Sequence, residues 1–153
     1  MESLFHYIQQ ERNNPELQSQ LDIETILRAA ENVDMDYLEG KTLKSLSLEI
    51  VQELRENIED NETIEKLCEK LLDYRFIQEI YQLHKGKHVR WLRNGNITNG
   101  GIVVDIKFLD NGTHVVCKTK NRFIQYKYDD CVTFQKLSED ELLLLQVSAS
   151  FIS

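Results

Sequence analysis

The sequence predicts an α+β protein: a helical N-terminal half, a five-stranded small β-barrel of the SH3 or Tudor type, and a short C-terminal helix. Three observations predict it. Apolar residues recur at helical spacing between Ser3 and Leu83. From Lys85 to Leu137, runs rich in Val, Ile, Phe, Tyr and Thr alternate with short Gly, Asn and Asp punctuation, the cadence of a small all-β unit. Ser138-Glu139-Asp140-Glu141 then reads as a capping box before the apolar run Leu142–Leu145. The expected regions are 1–84 (helical), 85–137 (barrel) and 138–153 (terminal helix and tail).

Within the first region, Leu4, Phe5, Tyr7 and Ile8 predict a short helix over Ser3–Arg12, broken at Asn13-Asn14-Pro15. Asn14 can cap a new helix with Pro15 at its first position. Asp22 caps a helix to about Glu31, with Ile23, Ile26, Leu27 and Ala30 as its stripe. A connection follows over Asn32–Gly40. Thr42 caps Leu43–Asn57, whose Leu43, Leu46, Ile50, Val51 and Leu54 fall on one face. Asn61 opens the longest expected helix, to about Leu83. Its wide face carries Ile64, Leu67, Cys68, Leu71, Leu72, Ile77, Ile80 and Tyr81, and His84-Lys85-Gly86 stops it.

Strands are expected at His88–Arg93, Gly101–Leu109, Thr113–Thr119, Arg122–Tyr128 and Val132–Lys136. Asn94-Gly95-Asn96 and Asn99-Gly100-Gly101 mark one longer loop. Asp110-Asn111-Gly112 and Lys120-Asn121 mark tight hairpins, and Asp129-Asp130 joins the last pair. Ile102, Val104, Ile106 and Phe108 share the face expected to be buried. Closing the sheet into a barrel removes most exposed edge. A barrel this small is marginal alone, so the long helix is expected to support it, with Val147, Phe151 and Ile152 finishing the tail's contact.

The chain has 153 residues, 41% of them apolar, one Pro (Pro15) and six Gly, a composition that favours a packed interior over disorder. Its formal charge of -8 is unevenly spread. Met1–Ile80 holds 19 acidic and 8 basic residues, whereas Tyr81–Lys136 holds 4 acidic and 10 basic. A basic segment beside an acidic one implies an anionic partner or attraction between the halves. Cys68, Cys117 and Cys131 form no C-x-x-C pair, which excludes a zinc knuckle or thioredoxin motif and suits a reducing compartment. Met1–Gln10 lacks the layout of a signal peptide, and Leu142–Leu145 is too short to span a bilayer. An intracellular protein without membrane contact is therefore expected.

Four constellations bear on function. Trp91, Phe123, Tyr126, Tyr128 and Phe134 could frame an aromatic pocket. The competing reading puts Phe123 and Phe134 in the core, leaving Tyr126 and Tyr128, which alternate with Lys127, as an exposed pair. Lys85, Lys87, Arg90, Arg93, Lys107, Lys118, Lys120, Arg122 and Lys127 could meet phosphates; the competing reading is a solvated face pairing the acidic helices. His84 and His88 are four apart, but Gly86 lies between them at the expected helix end, and His6 and His114 have no ligand companions, so no metal site is expected. Cys117 and Cys131 read as buried small hydrophobes, Asp129-Asp130 as turn chemistry with Asp105 a loose companion, and Asn99-Gly100-Gly101 precedes no helix. The helices from Asp22 to Leu83 and the Leu142–Leu145 tail offer apolar stripes, for internal packing or for a partner.

The run Leu67–Leu137 contains Tyr74-Arg75, His84-Lys85-Gly86, Arg90-Trp91, Gly100-Gly101 and Phe134-Gln135-Lys136. Through these residues, about half of the chain resembles a small module in proteins of large double-stranded DNA viruses that infect algae and protists. The resemblance implies a viral setting, in the host cytoplasm or viral factory or packaged in the virion, and brings no catalytic residues. Together these readings predict a non-enzymatic binding or scaffold protein without cofactor, recognising a protein partner through the barrel. Trp91, Tyr126 and Tyr128 are the expected apolar anchors, and Arg90, Lys118, Lys120 and Arg122 the charged contacts. The alternative is a nucleic-acid-binding accessory factor using the basic face.

Overall fold

The computed structural model describes residues 23–32 and 38–152. The helix expected over Ser3–Arg12, the Asn14-Pro15 start, His6 and the Asp22 cap lie outside the described residues. The chain divides into two compact units, Met1–Ser45 with Ser138–Ser153, and Leu46–Leu137.

In the first unit, α1 (Ile23–Asn32) packs on α4 (Glu139–Ile152). Ile23, Ile26, Ala29 and Ala30 are buried on α1, and Leu144, Leu145 and Val147 on α4. The expected capping box is present: Glu141 N–H donates to Ser138 Oγ at 3.0 Å, and Ser138 N–H to Glu141 Oε1 at 2.9 Å. Thr42 caps α2 (Leu43–Asn57) in a similar exchange, taking the Ser45 amide at 3.0 Å while its own amide donates to Ser45 Oγ at 2.8 Å.

The second unit is built on a seven-stranded antiparallel sheet among the described residues. Its strands are β1 (Tyr74–Phe76), β2 (His88–Arg93), β3 (Asn96–Ile97), β4 (Gly101–Leu109), β5 (Gly112–Lys118), β6 (Phe123–Lys127) and β7 (Val132–Lys136). The order is β1-β7-β2-β4-β5-β6, with β3 paired to β2. The closed five-stranded barrel is therefore corrected: the five expected strands exist, but the sheet is open, ending at β1 and β6. The physical reason is β1, which takes the outer edge of β7 and extends the sheet instead of letting it close.

That strand also overturns the long helix. α3 runs only over Asn61–Lys70, and Asp73 stops it in the left-handed region with φ 65°. Tyr74, Arg75 and Phe76 then pair with Lys136, Gln135 and Phe134. The apolar spacing read as one wide helical face is divided among three pieces: Ile64, Leu67 and Cys68 lie on α3, Leu71 and Leu72 in the turn after it, and Ile77, Ile80 and Tyr81 beyond β1. Leu72 and Tyr81, assigned to that face, are exposed. Residues 77–87 form an irregular strap with a 3-10 turn at Ile80–Gln82. It is pinned by Ile77 N–H to Thr133 O (2.9 Å), His84 N–H to Gln135 Oε1 (2.8 Å), Arg75 Nη2 to Gln82 O (2.6 Å) and Gly86 N–H to Val103 O (2.8 Å).

Two apolar clusters lie on opposite faces. One holds Ile77 and Leu83 of the strap with Val89, Trp91, Val103, Val115, Cys117 and Tyr126. The other holds Ile50 and Leu54 of α2, Ile64 and Leu67 of α3, and Leu71, Leu92 and Phe134. On β4 the expected buried face is reversed at its start. Val103 is buried, whereas Ile102, Val104 and Phe108 are exposed. A β-bulge between Val103 and Asp105 changes the phase, so Ile106 rejoins the first cluster beyond it. The expected longer loop after β2 is instead a two-residue hairpin, with Asn94 at φ 51° and Gly95 at φ 78°, leading into β3.

Gly100 and Gly101 are required where β4 enters the sheet. Gly100 has φ 77°, and a Cβ there would collide with the Val89 carbonyl; a Cβ on Gly101 would lie 2.9 Å from Lys118 O. Both obstacles are backbone and cannot swing away. Gly100→Ala should therefore destabilise the second unit by about 2–4 kcal/mol. Gly95→Ala, where nothing lies within 4 Å, should cost only about 1 kcal/mol. Urea denaturation of the two variants checks the difference.

Candidate binding face

Antiparallel pairing aligns one residue from each strand in a row. Tyr74 lies opposite Lys136, His88 opposite Ile102, Ile102 opposite Lys118, and Lys118 opposite Phe123. Val89 pairs with Gln135, so His88 falls beside Lys136 one step along. The row Tyr74–Lys136–His88–Ile102–Lys118–Phe123 thus crosses the sheet on the face away from Val89, Val103 and Cys117. Toward β1 and β7 this face is covered by α2 and α3. Toward β4, β5 and β6 it is open, with Ile102 39% and Phe123 66% exposed.

A second row on the same face aligns Lys107, His114 and Lys127. Lys120 and Arg122 stand in the turn joining β5 to β6. Among the described residues, none of Lys118, Lys120, Arg122 and Lys136 is held in an ion pair. The acidic residue of this face, Asp105, is already engaged: its Oδ1 accepts the Ile106 amide at 2.9 Å and lies 3.6 Å from Lys85 Nζ. A groove of about 750 Å³ opens along the first row, lined by His88, Asn99, Gly100, Gly101, Ile102, Val104, Lys118, Thr119 and Lys120.

The predicted anchors are not on this face. Trp91 and Tyr126 are buried and stack on each other, centroids 4.0 Å apart and planes 13° from parallel. Tyr126 also shares a 2.9 Å hydrogen bond with Thr133 Oγ1. Tyr128 is half-buried against the same cluster, its hydroxyl donating to Ile77 O at 3.4 Å. These three are core residues, because each points to the side that the strap covers. Phe134 is core as expected, whereas Phe123, also assigned to the core, is exposed. Lys118, Lys120 and Arg122, the expected charged contacts, are exposed. Arg90 is partly buried, with its guanidinium carbon 6.0 Å from the Tyr74 ring centroid; its Nε and Nη1 make no hydrogen bond among the described residues.

His88, Ile102, Phe123 and Lys136 were missed as members of the site. A signal was present: the turn at Lys120-Asn121 fixes Lys118 opposite Phe123, and counting by twos from there selects the rest. His88 Nδ1 lies 2.8 Å from the Tyr74 hydroxyl. Burial, and then the positive charges of Arg90 and Lys136, hold the imidazole below its ordinary pKa of 6.5. On a neutral ring Nδ1 accepts from the phenol in one tautomer and donates to it in the other.

The thiols offer no activated nucleophile. Burial pushes Cys117 up to about 12 and raises Cys131 as well. Among the described residues, no three His, Cys, Asp or Glu side chains gather as a metal-binding group, and no helix is long and apolar enough to cross a membrane. No family model, curated protein or solved structure matches the chain.

The cations beside His88 give a directional test. Neutralising them with Arg90→Gln and Lys136→Gln should raise the His88 midpoint toward 6.5 without reaching it, since burial is the larger cause. The unfolded chain takes up this proton first as pH falls. The His88 contribution to stability is therefore lost as pH drops below about 6.5 and is fully present above it. NMR titration of the His88 Cε1 proton and denaturation at several pH values check both statements.

Proposed function

We propose that this chain is a non-enzymatic binding protein whose recognition element is the open face of β4, β5 and β6, and whose partner is an extended polyanion. The supporting observation is the pair of cationic rows, with Lys118, Lys120 and Arg122 exposed and free of carboxylate partners among the described residues. Cations held at strand spacing neutralise a chain of anionic groups while releasing its counterions. The burial of Trp91 and Tyr126 removes the aromatic cage that a methylated side chain would need.

A second reading rests on a separate patch. Phe108 and Leu109 are 72% and 48% exposed at the tip of the β4–β5 hairpin. They suit contact with a protein partner, as in a scaffold or virion component of a large DNA virus acting inside the infected cell.

Polyanion binding is tested by fluorescence anisotropy with labelled polyphosphate. Affinity should fall steeply between about 50 and 200 mM salt. Lys118→Ala, Lys120→Ala and Arg122→Ala together should weaken it at least about tenfold and flatten the salt slope by roughly two to three. Unaltered affinity and slope in the triple variant would overturn the assignment of this face.

A further inference from the structure

Resting on the polyanion reading, we infer that the occupant of this face is a single-stranded nucleic acid, with a base stacked on Phe123 and the backbone in the groove beside Lys118 and Lys120. Four observations meet here. Phe123 is 66% exposed, an unusual state for a phenylalanine in a strand, and it lies directly opposite Lys118. Its π-face is therefore within one cross-strand spacing of a cation. The groove begins on the other side of Lys118 and is floored by the backbone of Gly100 and Gly101 and by Ile102. It is open to solvent, with about 750 Å³ of room beside the lysines.

The chemistry of the face separates three occupants. An acidic peptide would satisfy the lysines but gains little from an isolated aromatic platform. A duplex presents phosphates but keeps its bases stacked on each other, so Phe123 would face only sugar and phosphate. A single strand offers both groups at once, phosphates for Lys118, Lys120 and Arg122 and an unpaired base for the ring. Base–aromatic stacking on Phe123 tolerates any base. The inferred binding is therefore sequence-tolerant.

Anisotropy of the full chain with labelled (dT)15, with the same length of duplex, and with poly-glutamate tests this. The expected result is that (dT)15 binds at least about tenfold tighter than either comparator at low salt. Phe123→Ala should weaken (dT)15 about tenfold with its salt slope unchanged, and Phe123→Tyr should restore it. Because Phe123 is exposed, the alanine variant is expected to stay folded, which circular dichroism checks. If polyphosphate binds in a salt-dependent way but Phe123→Ala leaves (dT)15 untouched, the single-strand inference falls and the polyanion reading stands. Equal or tighter binding of duplex or poly-glutamate also overturns the inference. If no polyanion binds at low salt, both fall.

Discussion

The second unit depends on β7 pairing on both of its edges, with β2 on one side and β1 on the other. Val132–Lys136 comes last in the sheet by sequence yet lies inside it. One face of β7 carries Phe134 into the cluster under α2 and α3. The other carries Thr133 and Gln135 toward the strap, where they take the Ile77 and His84 amides on a backbone carbonyl and a side-chain amide. Gln135 is fully buried, and its Nε2 makes no hydrogen bond among the described residues. Burying this amide costs free energy that the hydrogen bond from the His84 amide to its Oε1 offsets only in part. Here it fixes where the strap crosses, and the strap closes the core that contains Trp91 and Tyr126.

Charge follows the same division. Leu46–Leu137 contains 14 acidic and 14 basic residues, so the formal -8 resides wholly in the remaining sequence. Within the neutral unit, ten of the acids precede Ile80 and ten of the bases follow it. The acids therefore sit mainly on α2, α3 and their connections, and the bases on the strands and their turns. The two sets share one fold, yet Lys118, Lys120 and Arg122 remain unpaired among the described residues. A solvated outer face that simply neutralised the helices would pair them. The exposed pairs it does form are worth little in any case, which leaves the basic rows available.

Much of this was legible in the sequence. The bounds of β2, β4 and β7 follow from alternation and Gly/Asn punctuation, because hairpin turns are local chemistry. α2 and its Thr42 cap were legible for the same reason. Three features were not. β1 is three residues long and is strand only because β7 is there to pair with it, a contact some 60 residues away in sequence. Helical spacing of Ile77, Ile80 and Tyr81 mimicked a helix that Asp73 had already ended. The bulge after Val103 inverted the inside and outside of β4, since a single extra residue reverses a period of two. Exposure was legible for the charged Lys118, Lys120 and Arg122, which are outside in any register, but not for the aromatic residues, whose side depends on phase. Trp91 and Tyr126 went inward and Phe123 outward.

The bulge and the glycine pair also explain why the face has a groove at all. Gly101 brings β4 against β5 with no side chain to spare, and Gly100 lies against the Val89 carbonyl of β2. Both glycines line the groove together with His88 and Lys118. Beyond them the bulge turns Val104 outward beside Ile102, raising an aliphatic wall. On the proposed reading the face would select by shape and charge: a narrow, flexible, anionic chain would fit, whereas a bulky or neutral one would gain nothing from the lysines. Under that proposal, holding the cations on paired strands would help, because their backbone would need no ordering on binding.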